Sequence, residues 1–437
     1  MSVQSKFAAV ERRWTAMTRQ CLLLAAAAAT PAVGNAQSDS AQSDTLRVVH
    51  AVDLALSANP ALQAARLRAD GVRYQISQVG ALPDPMLSFG LMNRPLDGFG
   101  TDEPMTMNSV QLAQRFPWPG KHGFAAERVE HLAVAQELDA QEVERQLIAR
   151  VKRVYFGLAY MDRALAVMRD TRGLLRDFHD VSLARYAVGD GLQQDVLQAQ
   201  VAVARMTEDI TVMEQERTAF AARLNALLGR DATVRVPALE LFGPSGTVAA
   251  VDSLLALAVG NRPALQAARA RVAAADAGAR AARRQLYPDL TVTLGYGQRP
   301  QYVDMVTVML GVSIPLWAGS RQLPLRREWE ARQAEQEARE RSLYNETFAR
   351  ITELRAHAER AGSLATLYST SVLPQARAAV ESALSAYRVG NVDYMTLLDN
   401  QLTVHRYEIE TLRLASDYQR AVAELEALVG GDFGGGQ

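Results

Sequence analysis

The side chains able to do chemistry are few and scattered. The six histidines are His50, His122, His131, His179, His357 and His405, and no two are spaced as metal ligands on one helix face or loop. His122 and His131 fall on opposite faces if their segment is helical. The single cysteine, Cys21, lies near the N-terminus in an apolar run, so neither a disulfide framework nor a thiol nucleophile is expected. Met86, Met92, Met105 and Met107 cluster in one stretch, where thioethers offer either soft-metal contacts or flexible filling, and filling is the expectation. There is no Gly-rich phosphate loop and no Ser-His-Asp set. The sequence therefore predicts no enzyme, no cofactor and no resident metal.

The elements that would position these residues come in duplicate. Pro60-Ala61-Leu62-Gln63-Ala64-Ala65-Arg66 recurs letter for letter as Pro263-Ala264-Leu265-Gln266-Ala267-Ala268-Arg269. Both blocks follow a Leu-Ala-Leu run, Leu54 to Leu56 and Leu255 to Leu257. Both lead to a Leu-Pro-Asp or Leu-Tyr-Pro-Asp turn, at Leu82 and Leu286. Further on, both copies end a long helical stretch at Tyr-X-Val-Gly, Tyr186 to Gly189 and Tyr387 to Gly390. One unit of about 200 residues is used twice. The expected repeats are 37–245 and 246–429, followed by a Gly-rich tail, 430–437.

Within 437 residues, 22% charged and 49% apolar with a formal net charge of -1, nothing favours nucleic acid as a partner. Residues 1–36 read as an export signal. Arg12, Arg13 and Arg19 precede Leu22 to Ala29, and Gly34-Asn35-Ala36 forms a small-X-small cleavage site.

In the first copy, helices are expected at 50–81, 120–187 and 192–228. Leu147, Val151, Val154, Leu158, Met161, Leu165 and Met168 make a heptad stripe on the long one. In the second copy they are expected at 251–286, 320–388 and 392–429, with a kink near Pro374. Between helices, strands are expected at 85–92, 107–117, 289–297 and 305–317. Leu290, Val292, Leu294 and Tyr296 alternate with Thr291, Thr293, Gly295 and Gly297, which puts apolar and small residues on opposite faces. Gln114 is the outlier, because it falls on the apolar face of its strand. Segments of this length suit tilted membrane strands, and Trp118, Trp317, Tyr287 and Tyr302 flank them as interfacial aromatics. Four strands cannot close a barrel, and open edges cannot face lipid. Either helices cover the sheet in a soluble domain, or three chains share a twelve-stranded barrel.

Duplicated halves, paired strands between long helices and the Tyr-X-Val-Gly turns resemble the TolC family of outer-membrane efflux proteins over nearly the whole chain after residue 36. Phe116-Pro117-Trp118-Pro119-Gly120-Lys121 and Ile314-Pro315-Leu316-Trp317-Ala318-Gly319 resemble that family's strand-to-helix exits, and Leu82-Pro83-Asp84-Pro85 its entry turn. The Pro-Trp-Pro-Gly-Lys run is reminiscent of the branch serving heavy-metal pumps.

The resemblance implies a mainly α fold with transmembrane β: a homotrimeric coiled-coil tunnel joined to a twelve-stranded β-barrel in outer-membrane lipid. It also implies a periplasmic adaptor protein and an inner-membrane pump of RND type as partners, with heavy-metal cations as one possible cargo class. By the same resemblance Tyr387 matches a gate tyrosine, Asp195 its acidic partner from the other copy, and Asp399 a constriction aspartate. Thr396 takes the place of a second aspartate, and Val392 the place of a gate arginine. Three copies of one aspartate around a narrow axis would raise one another's pKa and attract cations. Two other classes fit parts of the chain: a secreted coiled-coil structural protein, and a periplasmic adaptor.

Overall fold

The computed structural model describes residues 46–95, 100 and 103–431. The expected export signal, Cys21, most of the loop after Arg94, and the tail from 432 onward lie outside the described residues.

Two short helices open each copy. In the first, α1 (Val48–Ala58) and α2 (Pro60–Gly80) replace the single expected helix 50–81. The reason is Pro60: a residue preceding proline is pushed out of the helical region, and Asn59 sits at φ -73, ψ 118. Asn59 Oδ1 then accepts from the amides of Ala61 (3.0 Å) and Leu62 (3.3 Å), so the break becomes a cap. The second copy breaks in the same place. There α5 (Val251–Asn261) and α6 (Pro263–Arg284) flank an extended Arg262, which corrects the expected helix 251–286.

Between these pairs run α3 (Lys121–Ala187), of 67 residues, and α4 (Gln193–Leu227). At 1.5 Å per residue α3 is roughly 100 Å long. Leu147, Val151, Leu158, Met161, Leu165 and Met168 of the heptad stripe are buried, whereas Val154 is half-buried beside the buried Tyr155.

The matching helix of the second copy is not continuous. α7 (Gln322–Leu367) passes through a π turn (Tyr368–Val372) into α8 (Leu373–Arg388). Pro374 has no amide hydrogen to give an i→i-4 bond. The chain ahead of it slips, and the Leu373 amide bonds Tyr368 O five residues back. α7 lies close against α6, because Gly278 has no side chain to meet the Trp329 ring. α9 (Tyr394–Val429) completes the copy.

The four strands form one antiparallel sheet, β1 (Met86–Met92), β2 (Met107–Phe116), β3 (Asp289–Gln298) and β4 (Met305–Ser313), in that order. The last strand stops short of the expected 317, since Pro315 cannot donate to a ladder. Register aligns Val110 with Phe89 and Tyr296, and Val308 with Leu294, so the apolar residues share a face. On that face Phe89 is 75%, Val306 78% and Leu310 74% exposed. Among the described residues no helix covers it, contrary to the soluble arrangement. Gln114, the polar outlier, donates to Pro83 O (2.8 Å) in the entry turn. Among the described residues no helix is long and apolar enough to cross a membrane.

Candidate functional site

Two polar clusters mark the two ends of the long helices. The first joins sheet to helix. Asp289, the first residue of β3, is 6% exposed at its side chain and accepts from Lys121 Nζ (2.7 Å), Arg115 (2.5 Å) and the Trp118 amide (3.0 Å). Lys121 Nζ also donates to Tyr287 O at 2.8 Å, and Trp118 stacks on Tyr287 with ring centres 5.4 Å apart. Strand β2, the Pro-Trp-Pro-Gly turn and β3 are thus tied to one carboxylate. This geometry suits a rigid joint, because a buried charge that is fully hydrogen-bonded resists displacement.

The second cluster lies where α3–α4 and α8–α9 turn back. The two turns share one backbone design. Gly189 and Gly390 take left-handed φ values of 83° and 78°. Their amides bond Tyr186 O and Tyr387 O, and the following amides bond Arg185 O and Ala386 O. The side chains break this symmetry. Tyr186 is 46% exposed, whereas Tyr387 is 4% exposed and packs edge-on against the buried Tyr394, centroids 6.1 Å apart.

Arg185 crosses from the first turn to the second. Its Nη1 donates to Tyr387 O (2.9 Å), its Nη2 to Asp190 O (3.3 Å), and its guanidinium lies 4.8 Å from the Tyr387 ring centre. Burial raises the Tyr387 pKa, with Arg185 pulling it down and Asp195 pushing it up. Burial, with Tyr387 and Asp195 adding to it, holds Tyr394 up at about 12. Both phenols are therefore neutral at physiological pH.

The structure places Asp195 in the first turn of α4, half-buried and near both tyrosines, with no hydrogen bond to Tyr387. Thr396 is the second-copy counterpart of Asp195. Its amide donates to Asp393 Oδ1 (3.0 Å), closing the N-terminus of α9, and its hydroxyl and amide hold the Asp393 carboxyl below its usual range. Asp399 is exposed further along α9 and does not join the cluster. Val392 is half-buried in the turn itself.

The sequence reading missed Arg185, Tyr394, Lys121 and Asp289. A lone arginine in the last helical turn reads as an ordinary cation at a helix C-terminus. Lys121 and Asp289 carry no local signal of a pairing. Of the histidines, His405 meets Thr171 across the α3–α9 contact at 3.0 Å, and burial lowers its pKa against the pull of Glu408 and Asp209. No group of three or more His, Cys, Asp or Glu side chains could hold a metal ion among the described residues.

These two ends, and the duplicated path between them, match a known family model, outer membrane efflux protein, over residues 51–230 and 254–431. The chain belongs to this outer-membrane efflux family. It is 26% identical over 404 residues to the pyoverdine export outer membrane protein OpmQ of Pseudomonas putida, covering 85% of this chain and 83% of OpmQ. It is 24% identical over 429 residues to the cobalt-zinc-cadmium resistance protein CzcC of Cupriavidus metallidurans, covering 93% of this chain and 98% of CzcC. Among solved structures, the outer membrane protein VceC of Vibrio cholerae superposes with a TM-score of 0.75 at 19% identity, over 88% of this chain and 96% of VceC. The efflux family accounts for both the sheet open on its apolar face and the long helices. The protein is a passive outer-membrane channel extending through the periplasm, not an enzyme.

Proposed function

We propose that this outer-membrane channel is the exit duct of a tripartite efflux system. Three copies close a twelve-stranded barrel above a helical tunnel, and a periplasmic adaptor with an inner-membrane pump of RND type docks at the helical end. The observation that carries this reading is the open sheet. Among the described residues, four strands leave β1 and β4 each with a free edge, and the apolar face is bare. Joining sister sheets edge to edge satisfies both free ladders and gives lipid the apolar face.

The turn cluster is the gate. Arg185, Tyr387 and Tyr394 hold the two helix turns together, with Asp195 beside them, Asp399 and Thr396 on the helix that follows, and the neutral phenols packed without charge repulsion. Val188 and Val389, 73% and 70% exposed at the two turns, offer apolar contacts to an adaptor. Heavy-metal cations are the proposed cargo class, supported by the end-to-end likeness to CzcC.

The decisive experiment is purification in detergent followed by planar-bilayer recording. A trimer with discrete single-channel conductance, raised in Tyr387→Phe and Asp195→Ala variants, is expected. A monomer that remains in solution without detergent and conducts nothing would end this reading. Growth of a deletion strain on zinc, cobalt, cadmium and silver salts, against antibiotics and dyes, tests the cargo.

A further inference from the structure

The residue ahead of α6 differs from its counterpart ahead of α2. The literal repeat places Arg262 where the first copy has Asn59. Asn59 caps its own helix, whereas an arginine side chain has no acceptor to offer. Glu142 of α3 does the capping from a distance: its Oε2 accepts from the Ala264 amide at 3.3 Å. Its Oε1 accepts from Arg262 Nη2 (3.3 Å) and from Gln146 Nε2 (3.1 Å). Arg262 Nη1 donates to Thr347 Oγ1 on α7 at 2.5 Å. The exchange of asparagine for arginine therefore brings a guanidinium, which capping does not require, into the seam between the two repeats.

That seam holds a cleft of about 270 Å³. Arg150 and Arg153 of α3, Arg262, Arg350 of α7, Glu142 and Glu424 of α9 line it. Four arginines against two glutamates leave positive charge in excess. Both carboxylates are already engaged: Glu424 takes Arg153 on one oxygen (3.3 Å) and Arg350 on the other, and Glu142 holds Arg262 and the α6 cap. Donors are left over. Arg262 is 9% exposed, and its Nε has no acceptor among the described residues. Arg150 spends only its Nε, on Gln146 O of its own helix (3.2 Å), and its two terminal nitrogens have no partner among the described residues. Such a cleft attracts an anion. Guanidinium forks match the paired oxygens of phosphate, which a halide lacks.

We propose that this cleft binds a small oxyanion of the phosphate class, with Arg150 and Arg153 as its direct donors and Arg262 and Arg350 supplying the remaining charge. Glu142 stands about 20 residues along α3 from Lys121, hence roughly 30 Å from the sheet. A lipid headgroup beside the sheet does not reach so far, and the ligand is a soluble anion. Bound there, it ties α3 of the first repeat to α7 and α9 of the second. The site does not depend on the duct reading or on the cargo.

The test uses the detergent-solubilised full chain in phosphate-free buffer. Equilibrium dialysis with labelled inorganic phosphate should show saturable binding of about one ion per chain, displaced by sulfate. The thermal midpoint should climb with phosphate concentration, as for a ligand that binds only the folded state. Arg150→Gln should melt at the same temperature without phosphate and bind it at least tenfold more weakly. Arg327→Gln, at an exposed site on α7, should bind as the unmodified protein does. On the unmodified chain, phosphate should slow phenylglyoxal modification of Arg150 and Arg153, read by mass spectrometry, and leave Arg327 unprotected. Three results would overturn the site: undiminished binding in Arg150→Gln, the same rise in midpoint with chloride at matched ionic strength, or equal protection of Arg327. Bilayer recording of the same preparation separates the two proposals, since a conducting channel that takes up no phosphate sinks this site alone.

Discussion

Lys121 and Asp289 meet at 2.7 Å with less than a tenth of either side chain exposed, although one begins a helix and the other a strand of the opposite repeat. Such a pair is costly to break from one side, because the surviving charge is left buried without its partner. Asp289→Ala is expected to cost about 3–5 kcal/mol, read as a lower thermal midpoint in detergent. Replacing both, as Lys121→Met with Asp289→Leu, should recover much of that loss. Equal destabilisation in the single and double variants would show that the pair does not carry the joint.

Arg185 reaches across to the other turn with one hydrogen bond and a ring contact, and a second hydrogen bond holds it to its own turn at Asp190 O. A hydrogen bond from a charged donor is worth about 1.5–3 kcal/mol. Arg185→Gln should therefore shift the closed–open balance by roughly tenfold or more, seen as higher resting conductance. Arg185→Lys keeps the charge but loses the planar fork, and should fall between. Unchanged recordings in both variants would remove Arg185 from the gate.

The Tyr394 hydroxyl is buried and has no hydrogen-bond partner among the described residues. An unsatisfied buried polar group costs about 1–3 kcal/mol, so Tyr394→Phe should leave thermal stability unchanged or raise it. Tyr394→Ala should instead lose about 3–5 kcal/mol through the cavity it leaves. Clear destabilisation by the phenylalanine variant would reveal a bond that the hydroxyl does make.

His405 has a folded pKa lowered by burial, with Glu408 and Asp209 only partly offsetting this. The unfolded chain then binds the proton more readily than the folded one. Above about pH 6.5 both states are neutral and the residue is silent. As pH falls below that value, protonation favours unfolding, and stability declines until the folded pKa is passed. Melting His405→Gln and the unmodified protein at pH 7.5 and 5 should show a smaller acid loss in the variant.

Much of this was readable from the chain alone. The literal repeat at Pro60 and Pro263, the period-two segments and the heptad stripe on α3 fixed the elements because each is a local signal. The breaks at Asn59 and Arg262 were also legible in principle, since both precede proline. What stayed hidden depends on distance in sequence. Asp289 reads as a turn residue until Lys121 is seen against it, and Arg185 reads as a helix-end cation until the other turn is beside it. Gln114 looked misplaced on an apolar face, and only the carbonyl of Pro83 explains it. The methionines read as filler in sequence, and only the register shows that Met92 lies directly opposite Met107.

The slipped turn at Tyr368–Val372 belongs to the second repeat only, since α3 runs unbroken. In a ring of three chains the wall would alternate straight staves with jointed ones. On the proposed trimer the straight staves would keep the bore, and the jointed ones would swing below their knuckle. On the proposed gate, opening would need only the jointed staves to travel, like an iris whose blades move between fixed posts.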